Sequence, residues 1–243
     1  MIGIWQKFRK QKPERHAWQA FYQRFEDRFR GSKKDIEERF AQRYSRHLKE
    51  IKDQHGAIKA LDLGCGRGEF LNILKSFGST GTGVDSNREA IKRCHQMGHK
   101  VVESDILRYM KKIPSSSLNL ITSFHVIEHC DPPYFFKIFT EAHRILAKNG
   151  ALLIETPSLY SLWASARQFY LDPTHIRPVH PDYMEFMAAD CGFSEVSTLE
   201  FEEVADPRRA HILRALPEAE NANLQNLDRW LYGSMDIALW AKK

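Results

Sequence analysis

Leu61-Asp62-Leu63-Gly64-Cys65-Gly66-Arg67-Gly68-Glu69-Phe70 is the stretch on which the fold turns. Ala57 to Leu63 forms a short apolar run, and Glu69 to Phe77 has helical spacing closed by Gly78. A buried strand therefore enters a helix through a glycine-rich turn, where backbone can approach a ligand closely because glycine has no side chain. Spacing narrows the ligand. The dinucleotide fingerprint is G-x-G-x-x-G, with a pyrophosphate on the helix N-terminus. Here the glycines fall as G-x-G-x-G, and Glu69 stands where the dinucleotide pattern needs glycine. A carboxylate there repels pyrophosphate, so a ligand with no phosphate at that point fits better.

Strand and helix patterns alternate outward from this loop. Gly81 to Val84 reads as a second strand, followed by a helix over Arg88 to Met97. Val101-Val102 and Leu118 to Phe124 read as strands three and four, Pro133 to Leu146 as a helix, and Ala151 to Glu155 as strand five. Such βα units predict a parallel sheet sandwiched by helices. Pro157 to Pro181 reads as one long loop, of a length that is more often functional than idle. Pro181 to Cys191 resumes as a helix, and Phe193 to Phe201 and Met235 to Ala241 complete seven strands. Arg208 to Asn226 is polar and contains Pro217, so a polar insertion is expected around 206–228.

Before the sheet, Trp18, Phe21, Tyr22, Phe25 and Phe29 recur at spacings of three and four, the pattern of an amphipathic helix. Ser32 is placed to N-cap a second helix carrying Ile36, Phe40, Tyr44 and Leu48, which Gly56 ends. The expected organisation is a helical cap over 1–55 and an α/β domain over 56–243. Residues 1–55 hold 15 Lys/Arg against 8 Asp/Glu, whereas the remainder is slightly acidic. A basic arm can meet an anionic substrate, a nucleic acid or a membrane surface, or serve as a solvated helix face.

The composition, 42% hydrophobic and 28% charged, is that of an ordinary soluble domain. No apolar run approaches the roughly 20 residues of a membrane span. Lys7, Arg9 and Lys10 directly after Trp5 leave no apolar core for a signal peptide, so a cytoplasmic protein is expected. Cys65, Cys94, Cys130 and Cys191 are widely spread and form no C-x-x-C pair, which argues for reduced thiols.

With its flanks, the glycine loop resembles motif I of the class I S-adenosylmethionine-dependent methyltransferases. Asp62 precedes the first glycine by two residues; strand two ends in Gly83-Val84-Asp85, and strand three is followed by Ser104-Asp105-Ile106. An acid about 20 residues past such a loop can accept both ribose hydroxyls. The resemblance implies a Rossmann-like, mostly parallel seven-stranded sheet with an N-terminal helical extension. It implies S-adenosylmethionine held by Asp62, Gly64, Gly66, Gly68, Asp85, Ser86, Asp105, Ile106 and Phe124, with Asp105 at the adenine amine and Ile106 on its ring. Ile127-Glu128-His129 after strand four resembles the same superfamily. Asp131-Pro132-Pro133-Tyr134 spells the motif of base-amine methylating enzymes, but it lies beyond the strand end, where proline suits the first turn of a helix.

Phe21 to Ser32, Phe169 to Pro181 and Leu231 to Asp236 are similar to bacterial methyltransferases associated with cell-surface polysaccharide and O-antigen synthesis. That likeness implies that Tyr22 and Arg39 cover the cofactor, Arg39 pairing with the methionine carboxylate. It also implies a saccharide acceptor. Methylating a sugar hydroxyl calls for a general base, with His129, His175 and His180 as candidates; a phosphate oxygen would need only an arginine clamp such as Arg177. No ligand spacing points to a catalytic metal, and none is expected. A methyltransferase acting on RNA or on another small molecule, or a non-catalytic cofactor-binding protein, stays open. No RNA-binding module is seen, so nucleic acid is disfavoured as a partner.

Overall fold

The computed structural model describes residues 12–201 and 221–243, and the chain forms two compact units, Met1–Ile106 and Leu107–Lys243. Among the described residues no helix is long and apolar enough to cross a membrane.

The first unit opens with α1 (Lys12–Phe29) and α2 (Lys33–His55). As expected, the Ser32 side chain caps α2 by accepting from the Asp35 N–H at 3.2 Å, and Gly56 ends it at a φ of 76°. A cap of this kind contributes about 1 kcal/mol. Ile36, Phe40, Tyr44, Leu48 and Ile51 are buried along one face, and Phe40 meets Phe70 edge-on, with ring centroids 6.0 Å apart. The first helix departs from expectation. Trp18, Phe21 and Phe29 of the aromatic stripe are exposed, whereas Gln23 and Glu26 are buried. The reason is chemical: α1 packs against polar groups, Gln19 donating to the Ser86 carbonyl at 3.1 Å and Asp27 pairing with Arg93 at 3.0 Å.

Strands β1 (Lys59–Leu63), β2 (Thr80–Asp85) and β3 (Lys100–Glu103) pair in parallel, with Leu61 opposite Thr82 and Gly83 opposite Val101. Helices α3 (Glu69–Ser76), α4 (Arg88–Gln96) and the short α5 (Ile106–Met110) follow them in turn.

In the second unit β4 (Leu118–Phe124) leads through a 3-10 turn (Ile127–His129) and α6 (Pro132–Ile145) into β5 (Leu146–Pro157), parallel to β4. Asp131 caps α6, accepting from the Tyr134 N–H at 2.8 Å with proline in the first turn, so this tetrapeptide starts a helix. Strand β5 is longer than the apolar run suggested. A register shift between Leu118 and Leu120, with Asn149 at a φ of 62°, accommodates Asn149-Gly150 within it.

The 157–181 segment is also more ordered than expected, with a π-helical turn (Trp163–Gln168) and a 3-10 turn (Phe169–Leu171). Then come α7 (Pro181–Asp190), β6 (Glu195–Glu200), α8 (Asn221–Tyr232) and β7 (Asp236–Lys242), with β7 antiparallel to both β5 and β6. Most of the expected polar insertion lies outside the described residues, and its end from Asn221 is helical. The seven strands form one sheet in the order β3-β2-β1-β4-β5-β7-β6, mostly parallel as expected.

Candidate functional site

In the first unit the glycine turn is tied to the end of β2. The N–H groups of Gly64 and Cys65 donate to the Val84 carbonyl at 2.8 and 3.1 Å, and the Gly68 N–H closes back on Cys65 at 2.9 Å. Gly64, Gly66 and Gly68 take φ values of 68°, 46° and 78°, which side chains disfavour. The turn presents the Gly66 N–H to Asp85 Oδ2 at 3.0 Å, and the Asn87 N–H reaches Oδ1 at 2.7 Å. Each carboxylate oxygen is thereby oriented with acceptor capacity to spare. Burial pushes the Asp85 pKa up, against the two N–H groups that favour its ionised form.

In the same unit, Asp62 is buried in β1, Asp105 is exposed just before α5, and Ile106 is half-buried at that helix's first position. Ser86 is exposed; in the second unit, Phe124 is buried at the end of β4. Tyr22 is half-buried on α1 and stacks on Phe25, with ring centroids 5.9 Å apart. Arg39 of α2 has its Nε buried with no hydrogen-bond partner, and such a donor is satisfied by an anion. A half-buried, oriented carboxylate and an orphaned guanidinium N–H suit a ribose diol and an amino-acid carboxylate, the two polar ends of S-adenosylmethionine.

The structure corrects one step of the sequence reading. Glu69 is not a bare carboxylate, because Arg67 Nε lies 2.7 Å from its Oε1. Arg67 also reaches the Gly31 carbonyl at 3.3 Å and Asp27 at 3.5 Å, joining the glycine turn to α1. The case against a dinucleotide thus rests on glycine spacing rather than on repulsion by Glu69. The sequence reading missed Arg67, as well as Gln19, Gln23 and Glu26 on the buried side of α1.

The second unit gathers a denser set of titratable groups. Just past β4, His125 adopts a φ of 55°, uncommon for any residue but glycine. Its Nδ1 is 3.3 Å from Glu128 Oε1, and its Nε2 is 3.3 Å from Glu155 Oε1 and 3.5 Å from Asp236 Oδ1. Burial alone would lower the His125 pKa, but Glu128 and Glu155, with Asp236 behind them, raise it to about 10. In return His125 holds the fully buried Glu128 below the usual carboxylate value, against the desolvation that would raise it. Thr156 donates to Glu128 Oε2 at 3.1 Å.

Beside this ion cluster the His129 and His175 rings meet edge-on, with centroids 4.7 Å apart. His175 Nδ1 lies 2.6 Å from the Phe169 carbonyl, which can only accept, so the proton sits on Nδ1 and Nε2 keeps its lone pair. Burial lowers the pKa of His175, favouring the neutral ring. Thr174 spends its hydroxyl proton on Asp172 Oδ1 at 2.6 Å, so its oxygen accepts from His129 Nδ1 at 2.9 Å. In the neutral tautomer these bonds select, each imidazole carries its lone pair on Nε2.

Of the expected catalytic residues, the structure brings together His129 and His175. His180 instead caps α7, its Nδ1 accepting from the Asp182 N–H at 3.2 Å. Arg177 lies over the Tyr183 ring at 5.6 Å, its Nε buried without a hydrogen-bond partner. Sequence reasoning missed His125, Glu155, Asp236 and Thr174, and used Glu128 only as part of a motif. Glu155 and Asp236 lie 81 positions apart and meet through the β5–β7 pairing.

A family model described as a methyltransferase domain matches residues 11–198. The chain is 34% identical to a SAM dependent methyltransferase of known structure from Archaeoglobus fulgidus, with a TM-score of 0.81, covering 92% of this chain and 100% of that one. It is 24% identical over 164 residues to a probable S-adenosylmethionine-dependent methyltransferase of Mycobacterium tuberculosis, 67% of this chain but only 58% of that relative's length. A ubiquinone biosynthesis O-methyltransferase of Pelagibacter ubique is 28% identical over 107 residues, 41% of this chain and 42% of that protein. With the glycine turn, the Asp85 carboxylate and a match across most of its length, the chain belongs to the methyltransferase-domain family of S-adenosylmethionine-dependent enzymes.

Proposed function

We propose that the chain carries a methyl group from S-adenosylmethionine to a hydroxyl oxygen of a saccharide or saccharide intermediate. The cofactor supplies an electrophilic methyl on its sulfonium, and the residues here bind it and handle the acceptor's proton. In this reading Asp85 accepts the ribose hydroxyls, Asp105 and Ile106 take the adenine, and Arg39 pairs with the methionine carboxylate beneath Tyr22. Asp62, Ser86, Phe124 and the loop glycines complete the contacts. One observation carries the choice of oxygen: His129 and His175 both have their Nδ1 protons engaged, leaving Nε2 of each to accept a hydroxyl proton.

The charge around that pair favours a neutral acceptor over an anionic one. Glu128, Glu155 and Asp236 face the His125 imidazolium, and Asp172 Oδ2 lies 3.9 Å from His175 Nε2, a carboxylate-rich setting that disfavours a phosphate oxygen despite Arg177 and disfavours an RNA backbone. The Pelagibacter relative is by name an O-methyltransferase, consistent with oxygen. The saccharide rests on the likeness of the Phe169 to Pro181 segment to polysaccharide-associated methyltransferases. Donor turnover is to be measured against glycans, sugar nucleotides, phosphorylated sugars, amines and RNA. The expected result is an O-methylated sugar; methylation confined to amines, phosphates or RNA would overturn the reading, and no turnover with any acceptor would favour a binding protein.

A further inference from the structure

Glu128, His129 and His175 have a property that proton transfer does not require: they are built as a ligand set. We propose that these three side chains bind one divalent first-row transition ion, of which Zn²⁺ and Co²⁺ are the practical probes. Each offers one donor atom, and all three atoms lie within 4.8 Å of one another, with Glu128 buried and both histidines half-buried. Glu128 Oε1 is buried and makes no hydrogen bond. It faces His175 Nε2 at 3.9 Å, too far for a hydrogen bond but a gap that an ion about 2.1 Å from each atom can bridge.

Every member also has its outer support in place. A ligating histidine typically gives its other N–H to a carbonyl, carboxylate or other fixed acceptor, and ligating carboxylates are themselves hydrogen-bonded. His175 gives Nδ1–H to the Phe169 carbonyl, His129 gives Nδ1–H to Thr174, and Thr156 holds Glu128 Oε2. His125 Nδ1, 3.3 Å from Glu128 Oε1, is the cation that shares this oxygen. It faces the three carboxylates of Glu128, Glu155 and Asp236, a carboxylate-rich setting that suits a divalent ion. Two imidazoles and one carboxylate favour zinc, cobalt, nickel or iron over magnesium or calcium. Bound there, the ion would take the two Nε2 lone pairs, and in place of their base role it would polarise the acceptor hydroxyl so that its proton is lost to solvent. That consequence rests on the functional reading above; the binding itself does not.

The test uses the full chain, chelator-treated, titrated with Zn²⁺ by calorimetry and with Co²⁺ by visible absorption, in the absence of cofactor and acceptor. One saturable equivalent per chain is expected, with ligand-field bands for Co²⁺ and no displacement by millimolar Mg²⁺. His129→Ala and His175→Ala should each weaken binding by about a hundredfold or more, and Thr174→Val by about tenfold, as loss of an outer-shell partner does. Circular dichroism checks folding, and His175→Asn, which keeps a donor toward the Phe169 carbonyl, carries the test if the alanine variants are unfolded. No saturable site in the wild-type chain, or one that survives the histidine changes, overturns the proposal. Either result leaves methyl transfer standing, because that reading is tested by turnover alone.

Discussion

Thr174 orients His129: its Oγ1 takes the Nδ1 proton at 2.9 Å while its own proton goes to Asp172 at 2.6 Å. A 3-10 turn after β4 and the segment after β5 are thus linked through one hydroxyl that fixes which imidazole nitrogen is basic. Thr174→Val keeps the shape and removes the acceptor. Turnover should fall by roughly tenfold to a hundredfold, with cofactor affinity retained, as steady-state rates and calorimetry on the same preparation would show. An unchanged rate would mean that His129 needs no such fixing.

Asp85 takes two backbone N–H groups on its two oxygens and can take two more donors from a ribose. Charge-assisted bonds contribute about 1.5–3 kcal/mol each, so Asp85→Ala should weaken S-adenosylhomocysteine binding by at least roughly tenfold in a folded chain.

The same residue sets a pH dependence. Burial raises its pKa, and the ribose bonds need the ionised form. Affinity should therefore be full at neutral pH and decline as pH falls through that raised value, sooner than an ordinary aspartate would allow. In Asp85→Ala this acid limb should disappear. Calorimetric titrations from pH 7 downward decide the point, and identical profiles for the two chains would refute it.

Arg67 joins Glu69, Asp27 and Gly31, linking the turn to α1. Arg67→Ala removes the 2.7 Å partner of buried Glu69 and leaves it only the more distant charge of Arg30; breaking a buried pair costs about 3 kcal/mol. Thermal unfolding should begin several degrees lower, and proteolysis should cut α1 first. A melting curve that does not move would show the pair to be dispensable.

Gly83 sits in β2 where a Cβ would come 2.6 Å from Cys65 Sγ and 2.7 Å from Cys65 Cβ. Gly83→Ala must push the glycine turn away from the strand, an overpacking cost of about 1–3 kcal/mol, with cofactor affinity lost alongside stability. Denaturant unfolding of the variant with and without S-adenosylmethionine separates the two effects.

Much of this was legible in local pattern. Alternating apolar strands and amphipathic helices carry the α/β class because each element must bury one face, and Ser32, Gly56 and Gly78 mark helix ends by their own backbone preferences. Where residues compete for a face, local pattern fails. The aromatic spacing of α1 suggested that Phe21 and Phe29 turn inward, yet Gln23 and Glu26 are buried, Glu26 pairing with Arg30 at 2.7 Å.

The sequence by itself determined the glycine turn, the strand that feeds it and the acid at the end of the next strand, because each depends on residues close in the chain. Only the tertiary structure decided that Arg67 neutralises Glu69 and that His125 sits among Glu128, Glu155 and Asp236. It also paired His129 with His175, across 46 positions of chain, and assigned His180 to capping a helix. Sheet pairing and loop path set those distances, and a side chain's proton follows from the partner it meets, which no local pattern records.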